Sequence, residues 1–80
     1  MTREQIIVAF IQTVHLNWDR GVIPEHEEFG MQLGKALRVP SLARREFARQ
    51  VTDVILAQPA GVGMDAIAET VADWWMETRS

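Results

Sequence analysis

The chain has 80 residues, of which 48% are hydrophobic and 24% charged, and its net charge is −3. This length suffices for one domain, residues 1–80, and the composition excludes a disordered chain. Because there is no cysteine, disulfides and thiolate metal sites are excluded and a reducing, cytoplasmic location is expected. No apolar run approaches the length of a membrane span, and the N-terminal residues lack the pattern of a signal peptide.

The first predicted helix covers residues 3–19. Thr2 followed by Gln5 three residues later is the pattern of a capping box, which marks a helix start. Gly21 suits the left-handed conformation in which many helices end. Five apolar residues recur between them at helical spacing and predict the buried face: Ile7, Phe10, Ile11, Val14 and Trp18.

The next two helices are predicted over residues 24–38 and 41–57. Pro24 suits a first helical turn, Pro40 ends the second helix at Arg38 or Val39, and Ser41 is expected to cap the third. The predicted buried faces are Phe29, Leu33, Ala36 and Leu37 in the second helix, and Ala43, Phe47, Val51, Val54 and Ile55 in the third.

A fourth helix is predicted over residues 64–78. The clearest break in the chain, Pro59-Ala60-Gly61-Val62-Gly63, precedes it. Its expected inner face consists of Met64, Ile67, Val71 and Trp74. No segment shows the alternating pattern of a strand. The predicted fold is therefore an all-α, compact four-helix domain.

Two glycines lie inside the second predicted helix, where each costs roughly 1 kcal/mol relative to alanine. Gly30 and Gly34 are four residues apart, so they line one side of the helix and leave a shallow groove. This spacing predicts that another helix, of this chain or of a partner, packs closely against that side.

The sequence offers no arrangement of residues typical of catalysis or metal binding. His26 lies among Glu25, Glu27 and Glu28, but adjacent helical residues point about 100° apart and do not converge on one ion. The glycines at 61 and 63 precede a helix, yet the lysine and the strand of a phosphate-binding loop are missing. We therefore expect a protein that is not an enzyme and holds no cofactor or metal.

The charge is unevenly distributed along the chain. Residues 35–49 carry five basic side chains against Glu46 alone, whereas the segments on both sides are acidic. A helix, a tight turn and a second helix with arginines near its start are typical of a DNA-reading helix-turn-helix. The nucleic-acid interpretation would use Arg38, Arg44, Arg45 and Arg49. The acidic charge of the rest of the domain argues against it.

Apolar residues on outward helix faces favour a different interpretation. A face that mixes leucine with arginine resembles the centre of a protein–protein interface. The expected partner-binding residues are Leu42, Arg45, Arg49 and Leu56, with Trp75 and Met76 as a second surface. The sequence thus predicts a non-catalytic interaction module, a small regulator or inhibitor that docks on a larger protein or forms a homodimer. The alternative is the helix-turn-helix protein.

Overall fold

The computed structural model describes residues 1–79 and places them in four α-helices. These are Arg3–Asp19 (α1), His26–Ala36 (α2), Arg44–Leu56 (α3) and Met64–Arg79 (α4), and a 3₁₀-helix, Ser41–Ala43, precedes α3. Residues 1–79 contain no strand, so the predicted all-α, four-helix fold is confirmed. None of their helices is long and apolar enough to cross a membrane.

Both ends of α1 form as the sequence predicts. The backbone N–H of Gln5 donates to Thr2 Oγ1 at 3.2 Å, and the Thr2 N–H donates to Gln5 Oε1 at 2.8 Å, which completes the capping box. Gly21 adopts a φ of 68°. Its N–H donates to the Trp18 carbonyl, and the Val22 N–H donates to the Asn17 carbonyl. These two bonds satisfy carbonyls that the helix end would otherwise leave without partners.

The starts of α2 and α3 differ from the prediction. Pro24 lies outside the first turn of α2, because the helix begins at His26 with Glu25 as its N-cap. The predicted cap at Ser41 is wrong. Pro40 has an extended backbone and its carbonyl accepts from the Ala43 N–H at 2.8 Å, so the chain enters a 3₁₀-helix before α3. Within residues 1–79, no side-chain hydrogen bond caps the start of the 3₁₀-helix or the start of α3.

The end of α2 repeats the hydrogen-bond pattern of Gly21 with an arginine in the glycine position. Arg38 has a φ of 63°. Its N–H donates to the Lys35 carbonyl and the Val39 N–H to the Gly34 carbonyl, at 3.1 and 2.8 Å. The helix therefore stops at Ala36, earlier than the predicted residue 38. A residue with a Cβ atom is strained in this left-handed conformation.

We expect Arg38→Gly to stabilise the domain. The substitution removes backbone strain and breaks no side-chain hydrogen bond or ion pair found among residues 1–79. Part of the free energy gained is offset, because glycine makes the unfolded chain more flexible. The free energy of unfolding should therefore rise by about 0.5–1 kcal/mol. Urea denaturation followed by circular dichroism measures the change.

The matched control is Gly21→Ala. Gly21 has nearly the same φ and open space where a Cβ atom would lie, so the substitution introduces strain alone. It should lower the free energy of unfolding by about 1 kcal/mol. If Gly21→Ala destabilises as expected and Arg38→Gly does too, the Arg38 side chain makes a contact that outweighs the strain, and the prediction fails.

The backbones of α2 and α3 approach closely at the glycines of α2. A Cβ atom added to Gly30 would lie 2.7 Å from the Cα atom of Ala48, and one added to Gly34 would lie 3.0 Å from the Phe47 ring. The expected close packing on this side of α2 is confirmed, and the packing partner is α3 of the same chain.

Helices α1 and α4 form the second close pair. Ile6 and Ala68 are fully buried in the core, and Arg3 Nε donates to Asp73 Oδ1 at 2.6 Å on the surface. This hydrogen bond lowers the pKa of the Asp73 carboxyl. Because the folded pKa lies below the unfolded one, the pair stabilises the domain at neutral pH. That contribution is lost as the pH falls through the folded pKa.

The buried faces are rotated relative to the predicted ones. In α1 the buried side chains are Ile6, Phe10, Thr13 and Asn17, whereas Trp18, predicted to be in the core, is 72% exposed. Asn17 Nδ2 donates to the Thr13 carbonyl and to Gln32 Oε1, so its burial leaves no unpaired amide hydrogen. Ala36 and Ala43, also predicted to face inward, are exposed.

Candidate functional site

The predicted α3 surface extends from the 3₁₀-helix to the last residue of α3. Leu42 is fully exposed in the 3₁₀-helix and Leu56 is exposed at the end of α3. Fourteen residues at 1.5 Å per helical residue separate these leucines by about 20 Å. Arg49 follows Arg45 by four residues and Leu56 follows Arg49 by seven, so these three residues lie on the same side of α3.

Both of these arginines face carboxylates. Arg45 Nε lies 3.6 Å from Glu27 Oε1 of α2, and Arg49 Nη2 donates to Glu46 Oε1 at 2.8 Å. Asp53 lines the same shallow depression. Two guanidinium groups and three carboxylates thus share this surface, and the carboxylates would repel a phosphate backbone.

The other two arginines of the predicted nucleic-acid surface are also separated. Arg44 is half-buried, and its Nε donates to the Val39 carbonyl at 2.9 Å, so it holds the turn between α2 and α3. Arg38 is exposed in that turn. Within residues 1–79 the four arginines therefore form no continuous basic stripe along α3.

The second predicted surface needs a correction at Trp75. Met76 is exposed, but Trp75 is only 9% exposed and packs edge-on against Phe47, with ring centroids 4.9 Å apart. Trp74, predicted to be the inner tryptophan, is less buried. The reversal arises because Ala68 and Ala72 bring α4 close to the core on the side of Trp75.

Trp75 and Met76 still border a depression of about 630 Å³ beside Arg38 and Arg79. The Arg79 guanidinium lies 4.8 Å from the centre of the Trp75 ring, a distance at which a cation–π interaction stabilises both groups. Arg38 and Arg79 give this depression a positive charge, and its exposed apolar side chains are Met1 and Met76.

The most apolar concave surface lies at the other end of α1, and it was not predicted. A groove of about 500 Å³ opens between the end of α1, the loop after it, the start of α2, the end of α3 and the start of α4. Its more buried lining residues include Phe10, Phe29, Ile55 and Ile67. Asn17 and His26 are its only polar lining side chains.

The rim of this groove exposes three large apolar side chains. Trp18 is 72% exposed, Val22 46% and Ile23 98%. The backbone hydrogen bonds of Gly21 and Val22 end α1. Val22, Ile23 and Pro24 therefore belong to the loop between α1 and α2. Single exposed apolar residues are common on protein surfaces, whereas several beside an apolar groove are unusual for a monomeric domain.

The groove is lined almost entirely by apolar side chains. Among residues 1–79, no three histidine, cysteine, aspartate or glutamate side chains lie where they could hold a metal ion. Comparisons with models of protein families, with curated protein sequences and with solved structures find no match for this chain. We therefore infer function from the surfaces of the domain itself.

One sequence signal could have pointed to the groove. Val22 and Ile23 are two β-branched apolar residues in a short loop between Gly21 and Pro24, where polar residues are usual. Apolar side chains in such a loop either close over the core or face a partner. The lining residues on α3 and α4 carry no comparable signal, because only the folded chain brings them to this loop.

Proposed function

We propose that this domain is a non-catalytic protein-interaction module that docks on a larger protein through the groove beside Trp18 and Ile23. The observation that carries the proposal is the almost complete exposure of Ile23 at the edge of an apolar groove. Full burial of a side chain of this size yields roughly 1.5–3 kcal/mol. Tryptophan is also among the residues that contribute most to protein interfaces.

The α3 surface supports this function only at its end. Leu56 follows Ile55, which lines the groove, so Leu56 can extend the apolar contact area. Leu42 lies about 20 Å away along the helix. Arg45 and Arg49 form ion pairs with Glu27 and Glu46. These carboxylates make the two arginines less suited to binding phosphate than the sequence pattern alone indicates.

We expect Ile23→Ser to abolish partner binding, whereas Leu42→Ser leaves it unchanged. Both residues are fully or almost fully exposed, so neither substitution should disturb the fold. Each variant and the unmodified domain would be immobilised, and proteins captured from an extract of the source cells would be quantified by mass spectrometry. Circular dichroism verifies that the helices are retained.

Two results would contradict the proposal. One is capture of the same proteins by the Ile23→Ser variant at undiminished levels. The other is tight binding of mixed-sequence duplex DNA at about 50 mM salt that is lost at about 200 mM, which is the response of phosphate contacts. The second result would restore the helix-turn-helix interpretation.

A further inference from the structure

We infer that the occupant of the Trp18–Ile23 groove is a basic amphipathic helix of the partner protein, with apolar residues on one face and lysine or arginine beside them. This inference rests on the proposed function and adds the chemistry of the partner. The charges around the groove and the helix ends that meet there support this inference.

Carboxylates predominate in the chain segments that border the groove. Asp19, Glu25 and Glu28 are exposed, and each is adjacent in sequence to a residue that lines the groove. None of them makes an ion pair or a side-chain hydrogen bond within residues 1–79. Arg20 is the single basic residue of the segment from Trp18 to Phe29. A cationic partner would meet these carboxylates while its apolar face fills the groove.

The helix dipoles add to this negative potential. α1 and α3 both end at the groove, and neither has a basic residue in its last turn. A helix C-terminus carries a partial negative charge that lysine or arginine normally offsets. Arg20 at the C-cap of α1 supplies one such charge beside Asp19, whereas the last turn of α3 contains Asp53 and no basic residue. The starts of α2 and α4 have carboxylates in their first turns, which offset their positive ends.

The lining of the groove suits the apolar face of a helix. Its lining residues come from all four helices and from the loop after α1, and the surface they leave open to solvent is almost entirely apolar. An amphipathic helix inserts apolar side chains into such a groove at positions i, i+3 or i+4, and i+7. Basic residues beside that apolar stripe would then lie near Glu25, Glu28 and Asp19.

The same charges disfavour a second copy of this chain as the occupant. A symmetric dimer would bring identical surfaces together and place the rim carboxylates of one copy near those of the other. Like charges across an interface oppose association. An anionic membrane surface would be repelled for the same reason.

The test uses two fluorescein-labelled 14-residue model peptides that share leucine positions at helical spacing. One carries lysine and the other glutamate at all remaining positions. Fluorescence anisotropy measures their affinity for the domain at about 50 and about 200 mM salt. We expect saturable binding of the leucine/lysine peptide only, weakened about tenfold or more by Ile23→Ser. We expect Glu25→Lys to weaken binding by about fivefold at the lower salt, and by less at the higher salt.

Glu4→Lys is the matched control for Glu25→Lys. Both substitutions change the net charge equally, but Glu4 lies at the opposite end of α1, about 20 Å along the helix from Trp18. If Glu4→Lys weakens binding as much as Glu25→Lys, the peptide responds to net charge alone and the inference fails. The inference also fails if the leucine/glutamate peptide binds equally well, or if neither peptide binds.

Sedimentation equilibrium tests the remaining occupant. A dimer that dissociates in the Ile23→Ser variant would overturn the inference in favour of self-association through the groove. Each of these results contradicts only the inferred chemistry of the partner. The proposed docking function is still supported as long as Ile23→Ser abolishes partner capture. If that substitution does not change capture, the proposed function itself fails.

Discussion

Substitution of Gly30 by alanine is expected to lower the free energy of unfolding by about 2 kcal/mol, although alanine favours helices over glycine by about 1 kcal/mol. The added Cβ atom would lie 2.7 Å from the Cα atom and 3.0 Å from the carbonyl oxygen of Ala48. These are backbone atoms, so no side-chain rotation relieves the overlap. The two helices must move apart, which disturbs the closest contact in the core.

Urea denaturation of three variants tests this expectation. Gly63→Ala is the control, because a Cβ atom there meets nothing within 4 Å, and we expect a small change. Adding Ala48→Gly to Gly30→Ala should not restore stability, since the nearest overlapping atom is the Ala48 Cα and persists in glycine. The expectation is wrong if the double substitution restores full stability, or if Gly30→Ala alone is as stable as the original protein. Either result would show that α2 and α3 accommodate the added Cβ atom without moving apart.

Phe47→Ala is expected to cost about 3–5 kcal/mol, the usual loss for a buried phenylalanine. Phe47 of α3 is 3% exposed and contacts both α2 and α4. Its ring lies 4.9 Å from the Trp75 ring and 5.9 Å from the Trp74 ring of α4, and it covers Gly34 of α2. A domain of this size has a total stability of roughly 4–12 kcal/mol, so the variant should be largely unfolded at moderate temperature.

Thermal and urea denaturation measure the loss, with Ile23→Ala as the surface control. Ile23 is an apolar residue of comparable size, but its 98% exposure predicts a change within about 0.5 kcal/mol. Phe47→Leu retains part of the apolar volume and should lie between the two. A loss below about 1 kcal/mol for Phe47→Ala would contradict the position of this ring at the centre of the core.

Local chemistry made the fold class and the first helix predictable. The capping box at Thr2 and the glycine at residue 21 act within a few residues of the chain, and α1 has the predicted bounds of 3–19. The end of α2 at Ala36 was not predictable in this way, because an arginine in the left-handed conformation at residue 38 goes against local preference.

The orientation of each helix was less predictable, because the closest contacts involve small or polar residues. Gly30, Ala48, Ala68 and Ala72 are buried and let helix backbones approach, while Asn17 is buried through its hydrogen bonds. A helical wheel that follows large apolar residues assigns the inner face to their side of the helix. Trp18 was therefore placed in the core, whereas it lies on the rim of the groove.

The candidate site depended on long-range contacts. Arg49 and Glu46 are three residues apart, and their pair could have been predicted from sequence. The partner of Arg45 is Glu27, which only the packing of α2 on α3 supplies. The groove likewise combines residues from the whole chain, from Phe10 to Ile67, so no sequence window contains it.

The pairing of α1 with α4 has a consequence for biosynthesis. During translation α2 meets α3, its main packing partner, soon after both leave the ribosome, because only a short turn separates them. The main partner of α1 is the last helix, about 60 residues further along. At 5–20 residues per second, α1 emerges roughly 3–12 seconds before α4 is complete. Throughout that interval α1 lacks its main packing partner, and only its contact with α2, such as Phe10 against Phe29, can cover part of its apolar face.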